Sequence, residues 1–97
     1  MSYFVERYVP GVPGPEIERA LVRLGPVTEK MRSEGTVVRW RGSMVVPQDD
    51  ACFCHFDAPS EAEVAEANRR ARIAFDRIVP AVAVAPSAKS DDQEAGS

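Results

Sequence analysis

The stretch ACFCHFDAPS, residues 51–60, decides how the second half of the chain folds. Its first six residues are apolar or aromatic apart from one histidine, which is typical of a short strand. Because successive side chains of a strand point to opposite sides, this strand is expected to have two different faces. One face would carry Cys52, Cys54 and Phe56, and the other Ala51, Phe53 and His55.

This division separates the two thiols from the imidazole. A single metal ion cannot bind all three groups unless the strand is bulged. The favoured interpretation is that Cys52 and Cys54 are small apolar residues under the helices, where burial raises the pKa of both thiols and makes them inert. They are the only two cysteines of the chain, and an extended strand holds them in a geometry that does not favour a disulfide.

A helix is predicted directly after this strand. Ser60 and Glu63 have the capping-box spacing, in which the serine oxygen accepts the backbone N–H of residue 63 and the glutamate reaches back to residue 60. The helix should run to about Ala71, with Val64 and Ala67 facing the core.

The first half of the chain has the pattern strand, helix, strand. Residues 3–9 are β-branched and aromatic and stop at a Pro-Gly turn. From residue 14 to about residue 34, apolar side chains recur at helical spacing straight through Pro26, where proline removes a helical hydrogen bond, so a kink or a split is expected there. Residues 36–47 alternate like a half-buried strand. One face of that strand would hold Val38, Trp40, Met44 and Val46, and the other Arg39, Arg41, Ser43 and Val45.

The order of the elements predicts the architecture. Residues 77–84 form the last predicted strand, and Pro80 places it at a sheet edge because proline cannot donate to a ladder. Strand, helix, strand, strand, helix, strand resembles the split unit of ferredoxin-like folds. With right-handed crossovers we expect an α+β sandwich, with an antiparallel sheet in the order 4-1-3-2 and both helices on one face.

Length and composition limit the class of protein. Residues 1–85 are predicted to form one domain, and residues 86–97, which lack large apolar side chains, a disordered acidic tail. The net charge of -3 comes mostly from that tail, so a nearly neutral domain is not expected to bind nucleic acid. No apolar run reaches the about 18 residues of a membrane span, and the N-terminus does not resemble a signal peptide, so we expect a cytoplasmic protein that does not bind membranes.

The face of the sheet that carries no helix is where a function is expected. Its predicted residues are Phe4, Glu6, Tyr8, Arg39, Arg41, Phe53 and His55. A mixture of aromatic and charged side chains suits a dimer interface or a shallow pocket. We expect a homodimer, since a small sheet does not leave such a face bare.

Three segments, in this order, resemble a known family: VERYVPG (5–11), VPQDDACFCHFDAPSEAEV (46–64) and FDRIVPAV (75–82). It is a family of small ferredoxin-like proteins whose characterised relative is described as a nickel-binding protein and whose members are mostly domains of unknown function. The resemblance spans nearly all of residues 3–84. It implies the fold above, a homodimer and the binding of a divalent metal such as nickel.

The chain departs from the family in its histidines. Members often carry a histidine in the last strand, where this chain has Ala83, and with one histidine in total a histidine-rich nickel site cannot form within one subunit. The remaining ligands are His55 with Glu6 and Tyr8 on the neighbouring central strand, or symmetry-related copies across a dimer. His55 and Glu6 are therefore the candidate metal ligands.

Two other classes of function stay open. In a small-ligand binder or enzyme built like a dimeric α/β barrel, Glu6 would be positioned by Arg39 or Arg41, and His55 would act as a general base. Tyr8 and Phe53 would belong to the same pocket. The chain has no nucleophile with a base at known spacing and no glycine-rich phosphate loop, so no catalytic residue is predicted, and the simplest interpretation of Glu6 with Arg41 is a cross-strand ion pair.

In the third class, the protein is an interaction module without catalytic activity. An edge strand or the acidic tail would then recruit another protein.

Overall fold

The computed structural model describes residues 1–82 and residue 84. The predicted tail at residues 86–97 lies outside the described residues, as does residue 83 of the predicted last strand, and the observed last strand ends at Ala81. Four strands and three helices are present in the order β1 (Ser2–Tyr8), α1 (Gly14–Leu21), α2 (Leu24–Ser33), β2 (Arg39–Val46), β3 (Ala51–Asp57), α3 (Glu61–Arg70) and β4 (Arg77–Ala81). A short 3-10 turn, Pro47–Asp49, joins β2 to β3. No helix in this part of the chain is both long enough and apolar enough to cross a lipid bilayer.

The sheet has the strand order β2-β3-β1-β4, and every neighbouring pair is antiparallel. This is the predicted order counted from the opposite edge, so the ferredoxin-like α+β fold is confirmed. Strand β4 pairs with β1 alone, and Pro80 lies in it opposite Tyr3. An edge strand tolerates proline because one side of its backbone has no partner strand.

The predicted interruption of the first helical segment is confirmed as a split into two helices. Helix α1 ends at Leu21 and α2 begins at Leu24. Pro26 then lies in the first turn of α2, where its backbone nitrogen has no helical acceptor to lose. One apolar stripe nevertheless continues across the break, because Ile17, Leu21, Leu24, Thr28 and Met31 are all buried.

The core lies between one face of the sheet and the helices. Its largest fully buried side chains include Val5, Leu24, Met31, Phe56 and Val64. As predicted, Cys52, Cys54 and Phe56 face this core and none of the three is exposed. Burial of these apolar side chains is the main contribution to the stability of the domain.

The prediction for β2 was wrong beyond residue 40, because this strand contains a β-bulge. Trp40 pairs with Phe56 and Gly42 pairs with His55, which leaves Arg41 as an extra residue in β2. One extra residue reverses the alternation of the faces. Met44, expected in the core, is therefore 71% exposed.

The same bulge brings two other residues to the core side of β2. Ser43 pairs with Cys54 and Val45 pairs with Cys52, on the face that the helices cover. Both had been expected on the opposite face. Gly42 adopts a φ of 129°, a conformation that residues with a Cβ rarely adopt, so glycine is what allows the chain to turn at this point.

The capping box predicted for α3 forms differently. Ser60 is the N-cap residue, but its side chain does not accept a backbone N–H. Its hydroxyl instead donates a hydrogen bond to the carboxylate of Glu63. The helix begins where predicted, with a contact between two side chains in place of the expected side-chain to backbone contact.

Candidate functional site

The face of the sheet opposite the helices, called the open face here, carries a shallow groove of about 350 Å³. The groove lies over the three strands β2, β3 and β1. Phe4 and His55 are paired across β1 and β3, and their ring centroids lie 5.3 Å apart. The lining residues are Phe4, Arg41, Gly42, Ser43, Met44, Phe53 and His55.

His55 has a carboxylate beside it that the sequence analysis did not identify. Its Nε2 lies 3.7 Å from Oδ1 of Asp57, and the side chains of both residues are about one-third exposed. Asp57 also accepts a hydrogen bond of 2.8 Å from the hydroxyl of Ser2, and Nε of Arg41 lies 3.5 Å from its other oxygen. The signal was present in the sequence: a histidine and an aspartate two positions apart in one strand share a face.

Glu6 is held on the open face by an arginine of the edge strand. Nε of Arg77 donates to Oε1 of Glu6 at 2.8 Å, and a second guanidinium nitrogen donates to Oε2 at 3.2 Å. The expected pair of Glu6 with Arg41 does not form. Arg77 lies directly opposite Glu6 in the ladder, whereas β3 separates the strand of Glu6 from the strand of Arg41.

The structure brings some of the other predicted ligand-binding residues together. Phe53 and Arg41 line the groove beside His55. Tyr8 ends β1, is 65% exposed, and is not among the groove residues. Arg39 lines a different surface groove of about 440 Å³ next to Trp40, Arg32 and Thr28.

The donor set of one chain does not complete a metal site. Within residues 1–82 and 84, no group of three or more histidine, cysteine, aspartate or glutamate side chains is arranged to hold an ion. At the open face one chain offers the imidazole of His55 and the carboxylate of Asp57. Both are ligand types that nickel accepts, so a full coordination shell needs water or the same residues of a second copy.

A second polar site lies inside the core under α3, and it was not foreseen. Arg7 is only 3% exposed. Its guanidinium donates to Oδ1 of Asn68 at 2.8 Å, to the backbone oxygen of Ala74 at 2.9 Å and to Sγ of Cys54 at 3.1 Å. Asn68 is itself fixed by a 2.8 Å bond from its amide nitrogen to the backbone oxygen of Val64.

Three donors point at the sulfur of Cys54. Arg7 is one of them, the hydroxyl of Ser43 donates at 2.8 Å, and Sγ of Cys52 lies 4.0 Å away. Trp40 donates its indole N–H to Oγ of Ser43 at 3.0 Å, which leaves the hydroxyl hydrogen of Ser43 free for Cys54.

These contacts shift the pKa values of the two thiols in opposite directions. The hydrogen bond from Cys52 and the charge of Arg7, opposed by burial, lower the pKa of Cys54 to about 6. The hydrogen bond to Cys54 and then burial raise the pKa of Cys52. The prediction that burial raises both pKa values was therefore wrong for Cys54, because the hydrogen bond from Cys52 and the charge of Arg7 together outweigh burial.

The chain is similar to known proteins along most of its length. A family model described as "Nickel responsive protein SCO4226-like" matches residues 3–81. Among solved structures, the crystal structure of SCO4226 from Streptomyces coelicolor A3(2) is similar at a TM-score of 0.69 and 19% identity, over 86% of this chain and 100% of that chain. At this identity the likeness shows the fold. No curated protein matches the sequence.

Proposed function

Because this chain belongs to the SCO4226-like family of nickel responsive proteins, we propose that it is a small homodimeric protein that binds a divalent ion such as nickel on its open face. The observation that carries the proposal is the 3.7 Å separation of Nε2 of His55 from Oδ1 of Asp57. Imidazole and carboxylate are both accepted by borderline divalent ions. Two side chains on one face of a strand can bind a single ion from the same side.

The assignment of Asp57 as a ligand modifies the expectation from sequence, which paired His55 with Glu6. The carboxylate of Glu6 already accepts two hydrogen bonds from Arg77. Asp57 accepts one hydrogen bond, from the neutral hydroxyl of Ser2, and its contact with the charged Arg41 is 3.5 Å long and joins partly exposed side chains. An ion can displace such a contact at little free-energy cost. Asp57 is therefore the first choice of carboxylate and Glu6 the second.

A homodimer supplies the ligands that one chain lacks. In a twofold dimer the same surface of both subunits meets, so His55 and Asp57 are each present twice at the interface. Phe4 is 39% exposed and Met44 is 71% exposed on the same face. Burial of these apolar side chains against a second copy favours the association.

Titration calorimetry with nickel chloride tests the metal site, using protein that carries no residues beyond its own sequence. His55→Ala should abolish the heat of binding, and Asp57→Asn should weaken binding at least tenfold. Glu6→Gln should change the affinity by less than about threefold. The matched control is Asp49→Asn, which removes an exposed carboxylate in the turn before β3.

Two outcomes would change the proposal. Unaltered nickel binding by His55→Ala, with native circular dichroism, would contradict a site at this face. A loss caused by Glu6→Gln and not by Asp57→Asn would return the carboxylate role to Glu6.

A further inference from the structure

The two cysteines and Arg7 form a site that the proposed nickel function does not use. Cys52 and Cys54 are free thiols in β3, and neither is exposed. Their Sγ atoms lie 4.0 Å apart on the helix-covered side of the sheet. His55, which lies between them in sequence, points to the opposite face, where it lines the groove. The core site and the open-face site are therefore separated by the sheet.

Arg7 brings a buried positive charge into this site. A guanidinium stays protonated in proteins, and a buried charge is costly unless it is paired. The side chain of Arg7 is 3% exposed, and its acceptors are an amide oxygen, a backbone oxygen and a sulfur. Among the described residues, no carboxylate forms a salt bridge with Arg7, and its buried Nε has no hydrogen-bond partner. The sulfur pair is the group at this position that can supply the charge.

The charge of the sulfur pair restricts what it can bind. Two thiolates that bind one monovalent cation keep a single net negative charge, which matches the guanidinium of Arg7. A divalent cation between two thiolates forms a neutral unit and leaves the charge of Arg7 unpaired in the core. The site therefore favours a monovalent ion, and thiolate ligands favour a soft one.

The separation of the sulfurs is close to what such an ion needs. With the zinc–thiolate bond of about 2.3 Å as a guide, two bonds on opposite sides of an ion span about 4.6 Å. The observed distance of 4.0 Å is shorter. The two sulfurs must then move apart by about 0.6 Å, and small rotations of the two cysteine side chains can provide this.

We propose that Cys52 and Cys54 form a buried two-sulfur site for one soft monovalent cation, Cu(I), with Arg7 as its counter-ion. On binding, the thiol of Cys52 releases its proton to solvent and two copper–sulfur bonds form. Neither copper nor sulfur changes oxidation state. Ser43 contacts Cys54 at 2.8 Å and also lines the open-face groove.

The test is an anaerobic titration of the full chain with Cu(I) in competition with bicinchoninate, followed by X-ray absorption of the copper complex. The wild-type protein should bind one Cu(I) per chain, with two sulfur neighbours and no nitrogen. Cys52→Ser and Cys54→Ser should each lower the affinity at least a hundredfold. His55→Ala should bind Cu(I) like the wild type while its nickel binding is lost, so that a failure of one site is distinguishable from a failure of the other.

Three results would overturn this proposal. One is Cu(I) binding no tighter than that of the variant with both cysteines changed to serine. The second is a nitrogen neighbour of copper that disappears in His55→Ala. The third is displacement of bound Cu(I) by an equal concentration of zinc, which would contradict the argument from charge. The X-ray absorption spectrum of the wild-type complex identifies the atoms bound to copper, so the test works even if a cysteine variant does not fold.

Discussion

At the scale of single residues, the pair of Arg7 and Asn68 is the most consequential feature of the core. Both are buried, and a 2.8 Å hydrogen bond joins them. The amide oxygen of Asn68 accepts a hydrogen bond from the guanidinium of Arg7. Its amide nitrogen donates to the backbone oxygen of Val64, one turn earlier in α3. The buried guanidinium therefore depends on neutral acceptors, and the amide of Asn68 is one of the three.

Asn68→Ala is expected to lower the free energy of unfolding by about 2–4 kcal/mol, because it removes the oxygen acceptor of a buried guanidinium nitrogen and leaves that nitrogen only the sulfur of Cys54. Urea denaturation followed by circular dichroism measures this loss. Arg69→Ala, one position further along α3, is the control. Arg69 is exposed and pairs with Glu66 at the surface, so its removal should cost less than about 1 kcal/mol. Equal losses in the two variants would contradict a special role for Asn68.

The sequence predicted which residues of β3 face the core, but not the state of Cys54. Pleating is a local property, so Cys52, Cys54 and His55 were assigned to the correct faces. One of the contacts that lower the pKa of Cys54 comes from Arg7, 47 residues earlier in the chain. The acceptor that keeps Arg7 inside the core lies 61 residues away from it. No periodicity within one element can show such partners.

At the scale of elements, the bulge in β2 determines the composition of the open face. Arg41 is the extra residue, and Gly42 follows it with a φ of 129°. The bulge exposes Met44 and turns Ser43 inward to Cys54. A bulge-free β2 would have placed a methionine in the core and a serine hydroxyl on the surface. Both sites described above depend on this one irregularity.

Gly42→Ala is expected to lower the free energy of unfolding by about 1–3 kcal/mol, because a residue with a Cβ is strained at this φ. A Cβ at Gly42 would meet no atom within 4 Å, so the cost comes from the backbone alone. Gly14→Ala is a matched control, since Gly14 also has open space around it and no positive φ. In that variant the stability should stay unchanged or rise by up to about 1 kcal/mol. Thermal unfolding of both variants checks the prediction, and equal melting temperatures would contradict it.

The alternation of β2 failed as a guide for a physical reason. Counting by twos assumes that each residue of a strand faces one residue of its neighbour, and a bulge breaks that rule without changing composition. Glycine inside a strand is the signal that could have shown the bulge. Pro26 was easier to interpret, because a missing N–H has the same effect in any helix.

At the scale of the whole molecule, strand order could be predicted from element order alone. The handedness of crossovers leaves few arrangements for two strand-helix-strand units, and Pro80 agrees with the one observed. Element order does not predict which surface a partner would cover. Tyr8 and Met44 are both exposed on the open face, and nothing local to either indicates whether a second copy covers them.

The homodimer is expected to depend on the open face. Met44→Glu should convert the protein to a monomer, because it places a charge in the centre of the proposed interface, where burial is costly. Light scattering coupled to size exclusion measures the mass. Val22→Glu is the control, since Val22 is 60% exposed and is the C-cap residue of α1, a helix on the other side of the sheet from the open face. A wild-type protein of monomer mass, or dissociation by Val22→Glu alone, would contradict this interface.

The first residue of the chain is tied to the end of β3. The backbone oxygen of Met1 accepts a hydrogen bond of 2.9 Å from Ala58, and the next hydroxyl along the chain, that of Ser2, binds Asp57. A purification tag fused ahead of Met1 would begin close to His55, because Ser2 binds Asp57 and Asp57 lies beside His55. An oligohistidine fused there would bring extra imidazoles to the carboxylate of Asp57 and could mimic a complete nickel centre. Protein for spectroscopy should carry its tag elsewhere, or the tag should be cleaved so that no extra residues remain.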